Sequence, residues 1–438
     1  MPRLFPIQPV CYRTPKGRDL SPCIAPPYDV LDADSKSQLL AGCEHNIVAI
    51  DLPHLPAKTV GPDETYEQAG RRYRSWLDQG VLERGEKPAL FVYSQLYDHG
   101  GRQFDRRGLI ANIAVQPFGP GPDGAGGILA HEQTFAGAKE DRLKLMRTTR
   151  AQLSPIFGIY SDPQQQVVAM LQQVMDQREP DMVATTADDG VQHRLWRIEQ
   201  PDRIEAFQQA LHAIDVFIAD GHHRYTTAIN YREEVGPGTG ADYCMFVLVA
   251  MQDPGMIILP THRVLGAMGN FSIEKLRQAA AGRLDIRPFP GDDLAALERA
   301  LPEAGHHAMG LYSRPDDASA GPQLHIATTT QGDPLAATHG DHSEAWRQLD
   351  VAICQHLLVE GICQPAFQPD GEITWKFPHD LDELRAMVDA GDYQIGVIMQ
   401  PTPLEAVMAV SAAGELMPQK STFFYPKLAT GLVVNPLD

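Results

Sequence analysis

The chain has 438 residues, enough for two or three domains with ample core. Its 37 Lys and Arg stand against 56 Asp and Glu, a formal net charge of −19. That balance argues against a general affinity for nucleic acid or an anionic membrane, and it requires any bound anion to sit in a locally positive pocket.

The longest apolar run, Cys244-Met245-Phe246-Val247-Leu248-Val249-Ala250-Met251, is too short to cross a bilayer and reads as a buried strand. The opening Met1-Pro2-Arg3-Leu4-Phe5-Pro6 lacks the apolar stretch of a secretion signal, so the expected location is cytoplasmic. Six scattered cysteines with no C-x-x-C pair argue against both a disulfide framework and a thiolate zinc site.

Strand-like and helical segments alternate along the chain, which predicts a mixed α/β (α+β) fold. The first 50 residues are proline-rich, and Ala25-Pro26-Pro27-Tyr28-Asp29-Val30 cannot be helical. A helix over 66–77 precedes strands at 89–96 and 108–115, a Gly/Pro loop at 116–127 and a helix at 139–149. Strands at 155–160 and 193–198, a helix at 203–212 and a strand at 215–219 follow. Further on are strands at 243–252 and 256–261, helices at 273–281 and 294–300, a strand at 308–312, a polar loop at 313–322 and one helix over 344–358 striped by Trp346, Leu349, Ile353 and Leu357. A soft boundary in 265–272 divides the chain into residues 1–268 and a second α+β region, 269–438, which returns to the active-site pocket.

The segment richest in chemistry is Phe217-Ile218-Ala219-Asp220-Gly221-His222-His223-Arg224-Tyr225-Thr226-Thr227-Ala228. An apolar strand runs into an Asp-Gly turn that opens a helix with two histidines and an arginine in its first turn. Gly221 permits a sharp turn, and the unpaired N–H groups of a new helix favour phosphate or carboxylate. The plainer reading makes Asp220 a helix cap and Arg224 a surface ion-pair partner.

Gly119-x-Gly121-x-x-Gly124 follows a strand, but Pro120 and Pro122 remove two donors, so there is no NAD signature; nor is there a flavin one or a P-loop. Adjacent His222 and His223 point about 100° apart on a helix, and His131-Glu132 lacks a second histidine four residues on, so a protein-ligated zinc is disfavoured. Magnesium on Asp29 or Asp220 with substrate phosphate stays open, because such sites need only one or two carboxylates.

Met417-Pro418-Gln419-Lys420-Ser421-Thr422-Phe423-Phe424-Tyr425-Pro426-Lys427 reads equally as a pocket-lining segment or an edge strand. His131-Glu132-x-Thr134 with Lys139, Asp141, Arg142 and Arg147 reads as a substrate loop or as a surface helix with ion pairs.

Ala25-Pro26-Pro27-Tyr28-Asp29-Val30, His131-Glu132-x-Thr134 with Asp141-Arg142, Ser154-Pro155-Ile156-Phe157, Ala219 to Tyr225, and Met417 to Lys427 together resemble the bacterial family known as domain of unknown function 1015, over essentially the whole length. That label implies no activity. The Asp-Gly-His-His-Arg turn is also similar to the phosphate-gripping turn of the ParB/sulfiredoxin superfamily, which includes free-serine kinases.

This second likeness implies a ParB/sulfiredoxin-like core and a small-molecule phosphotransferase or phosphoester-processing enzyme, acting on free serine or phosphoserine with a nucleotide and magnesium. In that reading Asp220 is general base or metal ligand, His222 and His223 touch phosphate with Glu132 as a further catalytic group, and Arg224 balances charge. Gly221, Tyr225, His131, Thr134, Lys420, Ser421, Thr422, Lys427, Tyr28 and Asp29 complete the pocket for an anionic small molecule. The absence of a cysteine in the turn disfavours sulfinic acid repair, and nothing indicates nucleic acid or membrane as partner; the oligomeric state stays open. A non-catalytic nucleotide or metabolite sensor and a metal-dependent hydrolase or lyase are the alternatives.

Overall fold

The structure is a computed structural model describing residues 3–13, 19–121, 126–134, 136–314 and 323–438. The polypeptide divides into two compact units, Met1–Ile257 with Pro426–Asp438 and Ile258–Tyr425. This differs from a division at 268/269 in two respects, each with a backbone cause. Arg263–Gly266 is an interior strand of the second unit's sheet, so the crossing lies before it. The final segment closes the first unit: Asn435 and Pro436 pair with Gln152 and Ala151, Thr430 bridges to Ala25, and Val434 to Val10.

The first unit is built on a nine-stranded mixed sheet. Its order is Ile128–Leu129, Val216–Asp220, Ile156–Tyr160, Tyr243–Ala250, Arg102–Ala114, Leu90–His99, Gln192–Ile198 and Met182–Thr185, with Leu4–Phe5 on Arg102–Ala114. Tyr243–Ala250 has neighbours on both sides and, Tyr243 apart, is buried along its whole length, which is why its sequence is continuously apolar rather than alternating. Helices Asp63–Asp78, Ala136–Thr149 and His222–Val235 pack side by side. Val216–Asp220 thus delivers its last residue to the start of His222–Val235.

The second unit carries a six-stranded antiparallel sheet, Leu284–Pro288, Gln323–Thr329, Met309–Ser313, Tyr393–Ile398, Arg263–Gly266 and Thr374–Lys376. Successive residues feed separate cores on its two faces, Leu265 and Leu311 on one and Val264 and Tyr312 on the other, as the two-residue strand period requires. The whole chain is mixed α+β. The single helix expected over 344–358 is interrupted: Glu344–Arg347 ends, Leu349 adopts extended backbone (φ −70°, ψ 122°), and helix resumes through Asp350–Ala352 and Ile353–Cys363. Trp346, Leu349, Ile353 and Leu357 are all buried. Residues 122–125, with Pro122 and Gly124 of the glycine pattern, and 315–322 of the polar loop lie outside the described residues.

Candidate functional site

The turn after Val216–Asp220 is set by Gly221, whose φ of 100° only glycine adopts without strain. A Cβ there would also stand 3.1 Å from Arg224 Nε. Helix His222–Val235 starts at this glycine with no side-chain cap, so its first-turn N–H groups are not claimed by a capping oxygen. Asp220 is not the cap. Its carboxylate accepts from Lys427 Nζ at 3.2 Å through Oδ1 and from the Arg224 guanidinium through Oδ2. Burial pushes the Asp220 carboxyl up, but Lys427 and Arg224 more than offset this and hold it well below the usual carboxylate range. A carboxylate so held is a weak proton acceptor at neutral pH.

Arg224 is anchored as well, donating also to the Pro155 carbonyl. It braces the turn from beneath. Asp29 sits in the turn Tyr28–Val30 with Lys58 Nζ 3.1 Å from Oδ2, and its acidity is set by burial, the charge of Asp220, and the opposing cations Lys58, Arg224 and Lys427, whose sum lowers it. Two carboxylates and three cations therefore share one locus.

The histidines are neutral. Burial drives His222 well below its ordinary value, with His131 adding to the shift, and burial likewise lowers His131 and His223. His222 Nε2 accepts the His131 backbone N–H at 3.3 Å, which leaves the ring proton on Nδ1, 3.9 Å from Glu132 Oε2. The His131 and His222 rings meet edge to face at 4.6 Å. His223 is half-buried and lies within the field of Glu132, Lys58 and Asp29. Thr134 is half-buried.

A cavity of about 40 Å³ lies under this locus, lined by Tyr28, Asp51, Arg142, Ser154 and Arg224 with Met146 and Ile156. It has room for a few waters and is too small for a nucleotide. Arg142 stacks under the Tyr28 ring at 3.8 Å and pairs with Asp141 at 2.8 Å and Asp51 at 3.3 Å. Asp141 and Arg142 are thus a buried pair and not a surface-helix couple, although Arg147 does pair outward with Glu140 and Glu234. A larger cavity, about 360 Å³, is lined by Ile24, Pro26, Val30, Leu31, Leu39 and Asp188. Val30 directly follows Asp29.

Of the expected residues, the first unit brings together Tyr28, Asp29, His131, Glu132, Asp220, Gly221, His222, His223, Arg224 and Lys427. Tyr225 is instead core: it is fully buried, its ring meets Phe118 and Phe246, and its hydroxyl donates to the Gln116 carbonyl at 2.8 Å. Lys420, Ser421 and Thr422 belong to the second unit, where Ser421 is buried and its hydroxyl donates to the Pro418 carbonyl. Lys58 and Asp51 escaped the sequence reading. A lone lysine between prolines carries no signal, and Asp51 shows only as a carboxylate ending the apolar run Ile47-Val48-Ala49-Ile50.

Among the described residues no three His, Cys, Asp or Glu side chains converge as a metal ligand set. Of the two carboxylates considered for magnesium, Asp220 has both oxygens in ion pairs, and Asp29 pairs with Lys58 through Oδ2. A magnesium ion that keeps water and phosphate oxygens needs one or two carboxylates, and Asp29 fits that role.

The family described as "Protein of unknown function (DUF1015)" matches residues 4–352. The chain belongs to this family. None of the curated proteins compared with it matches. Solved structures similar to this family member include a free serine kinase in complex with AMP, 13% identical with a TM-score of 0.33 over 70% of this chain and 88% of that one. A conserved hypothetical protein from Pyrococcus furiosus is 14% identical at a TM-score of 0.32, over 70% of this chain and 92% of that one. A C-terminally truncated SbnI from Staphylococcus aureus is 11% identical at a TM-score of 0.33, over 70% and 83%.

Proposed function

We propose that the protein is a small-molecule phosphotransferase or phosphoester-processing enzyme with a ParB/sulfiredoxin-like core, using a nucleotide and acting on free serine or phosphoserine. The observation that carries this reading is the uncapped start of His222–Val235, flanked by Lys427, Lys58 and the half-buried neutral His223. Phosphoryl transfer asks a protein for positioning and positive charge more than for covalent chemistry. The N–H groups after Gly221 and the two lysines receive phosphate oxygens, while Arg224 and Asp220 fix the turn that presents them. His223, neutral at pH 7, takes the proton of the attacking hydroxyl, and Glu132 orients the His222 ring. Asp29 would hold a magnesium ion, which would supply charge neutralisation on the phosphates. The 360 Å³ cavity beside Val30 has the size of a ligand pocket and is where we place the nucleoside portion.

The free amino acid as acceptor rests on the family-level likeness of the turn. One observation favours the sensor reading: Asp220 and Asp29 are both held ionised by cations, so neither is poised to take a proton near neutrality. Phosphorus NMR of the protein incubated with ATP or ADP and serine, with calorimetry of nucleotide binding, decides between them. The proposal expects phosphoserine and a His223→Ala variant that binds but does not turn over. Binding without product returns the site to a sensor, and no nucleotide binding removes both readings.

A further inference from the structure

Arg263 opens an interior strand of the second unit and is 2% exposed. A buried guanidinium is ordinarily matched by a carboxylate, because an unpaired ion in a low-dielectric interior is strongly disfavoured. Arg142 of the first-unit locus obeys this, with Asp51 and Asp141 as its partners. For Arg263, no carboxylate among the described residues lies within ion-pair distance. It donates to two main-chain carbonyls, Thr261 and, at 3.0 Å, Lys420, and its guanidinium carbon stands 5.6 Å from the Phe377 ring centre. Two of its five donors are so used.

Burial lowers the Arg263 pKa, and the acidic group that opposes this is the Cys354 thiol, itself pushed up by burial to about 11 and therefore uncharged at neutral pH. Thr261 supplies an independent observation: its hydroxyl is buried and has no hydrogen-bond partner among the described residues. Neighbouring His262 is held neutral, first by burial and then by Arg263 and His379, so it adds no second positive charge beside Arg263. The segment that meets Arg263 is rigidly placed. Lys420 takes left-handed backbone (φ 57°), Ser421 bonds back to Pro418, and Thr402 Oγ1 donates to the Ser421 carbonyl at 2.6 Å.

We infer that Thr261, Arg263 and the Lys420 turn form an oxyanion-binding site of the second unit, taking the phosphate or carboxylate group of a small ligand. The missing counter-charge of Arg263 comes from the ligand, and the Thr261 hydroxyl finds its partner there. This inference does not depend on the phosphotransferase reading.

The test is the melting temperature of the full chain in inorganic phosphate and in malonate, each against chloride at matched ionic strength. Lys427→Ala serves as background, reducing the first-unit contribution. On that background the anion should raise the melting temperature, and adding Arg263→Met should abolish most of the rise. In chloride, Arg263→Met should melt no lower than the parent, since an apolar side chain of similar volume replaces an uncompensated charge. A rise with phosphate assigns a phosphate ester, and one with malonate alone a carboxylate. No rise with either anion, or an undiminished rise in the Lys427→Ala/Arg263→Met protein, overturns the inference. Should Arg263→Met not fold, Thr261→Val in the same assay decides, an unchanged rise again overturning it.

Discussion

Asp220 ends its strand against two cations, and this pairing determines what each neighbouring residue does. Because Lys427 and Arg224 take one carboxylate oxygen each, losing either leaves a buried charge partly uncompensated. Arg224→Ala breaks the more buried pair and also orphans the Pro155 carbonyl, so it should cost about 3–5 kcal/mol of stability. Lys427→Met should cost less stability and more binding. Losing one charge-assisted contact of about 1.5–3 kcal/mol should weaken nucleotide affinity roughly ten- to a hundredfold by calorimetry. Gly221→Ala meets both a positive φ and the Arg224 guanidine, and should destabilise by about 1–3 kcal/mol in denaturant unfolding. An Ala variant as stable as the parent would show that the turn relaxes freely.

At the scale of elements, the final segment matters beyond its length. It pairs Asn435 and Pro436 with Gln152 and Ala151, bridges Thr430 to Ala25, and carries Lys427 to Asp220. A chain ending at Tyr425 should therefore leave the first unit open: limited proteolysis should cut there readily, and nucleotide binding should be lost even if circular dichroism retains much of its helix and strand. Strand periodicity explains why the second unit's sheet is covered on both faces, since Val264 and Leu265 feed opposite cores. The interrupted helix after Trp346 shows the reverse case. There the apolar stripe was legible, but the extended Leu349 within it was not, because the indole donation to the Leu416 carbonyl that fixes Trp346 joins residues seventy positions apart.

Across the whole molecule, buried neutral histidines occur in both units and set a common response to acid. Burial holds His193 down to about 3 and His262 to about 4, against about 6.5 in the unfolded chain. The folded state thus disfavours the proton: this stability is fully present above pH 6.5 and is lost as pH falls below it. His193→Gln and His262→Gln should each remove about 2 kcal/mol of the stability lost between pH 7 and pH 5, seen in denaturant titrations at the two values. His307 acts oppositely: burial lowers it, but Asp350 raises it further, so its contribution is present in acid and fades as pH rises.

Several properties were determined by the sequence alone because they are local. The mixed α+β class, the buried Tyr243–Ala250 strand and the glycine-bearing turn into His222–Val235 follow from periodicity and from backbone conformations only certain residues adopt. The locus around that turn was legible for the same reason, as Asp220, His222, His223 and Arg224 are neighbours in the chain. Tertiary structure decided what surrounds those groups. What holds the Asp220 carboxylate depends on Lys427, more than two hundred residues on. Whether Tyr225 faces a ligand or the core depends on Phe118 and Phe246, and whether Arg263 has a counter-ion depends on which chain segments surround it. Charge state and burial are sums over distant neighbours, and no local pattern encodes them.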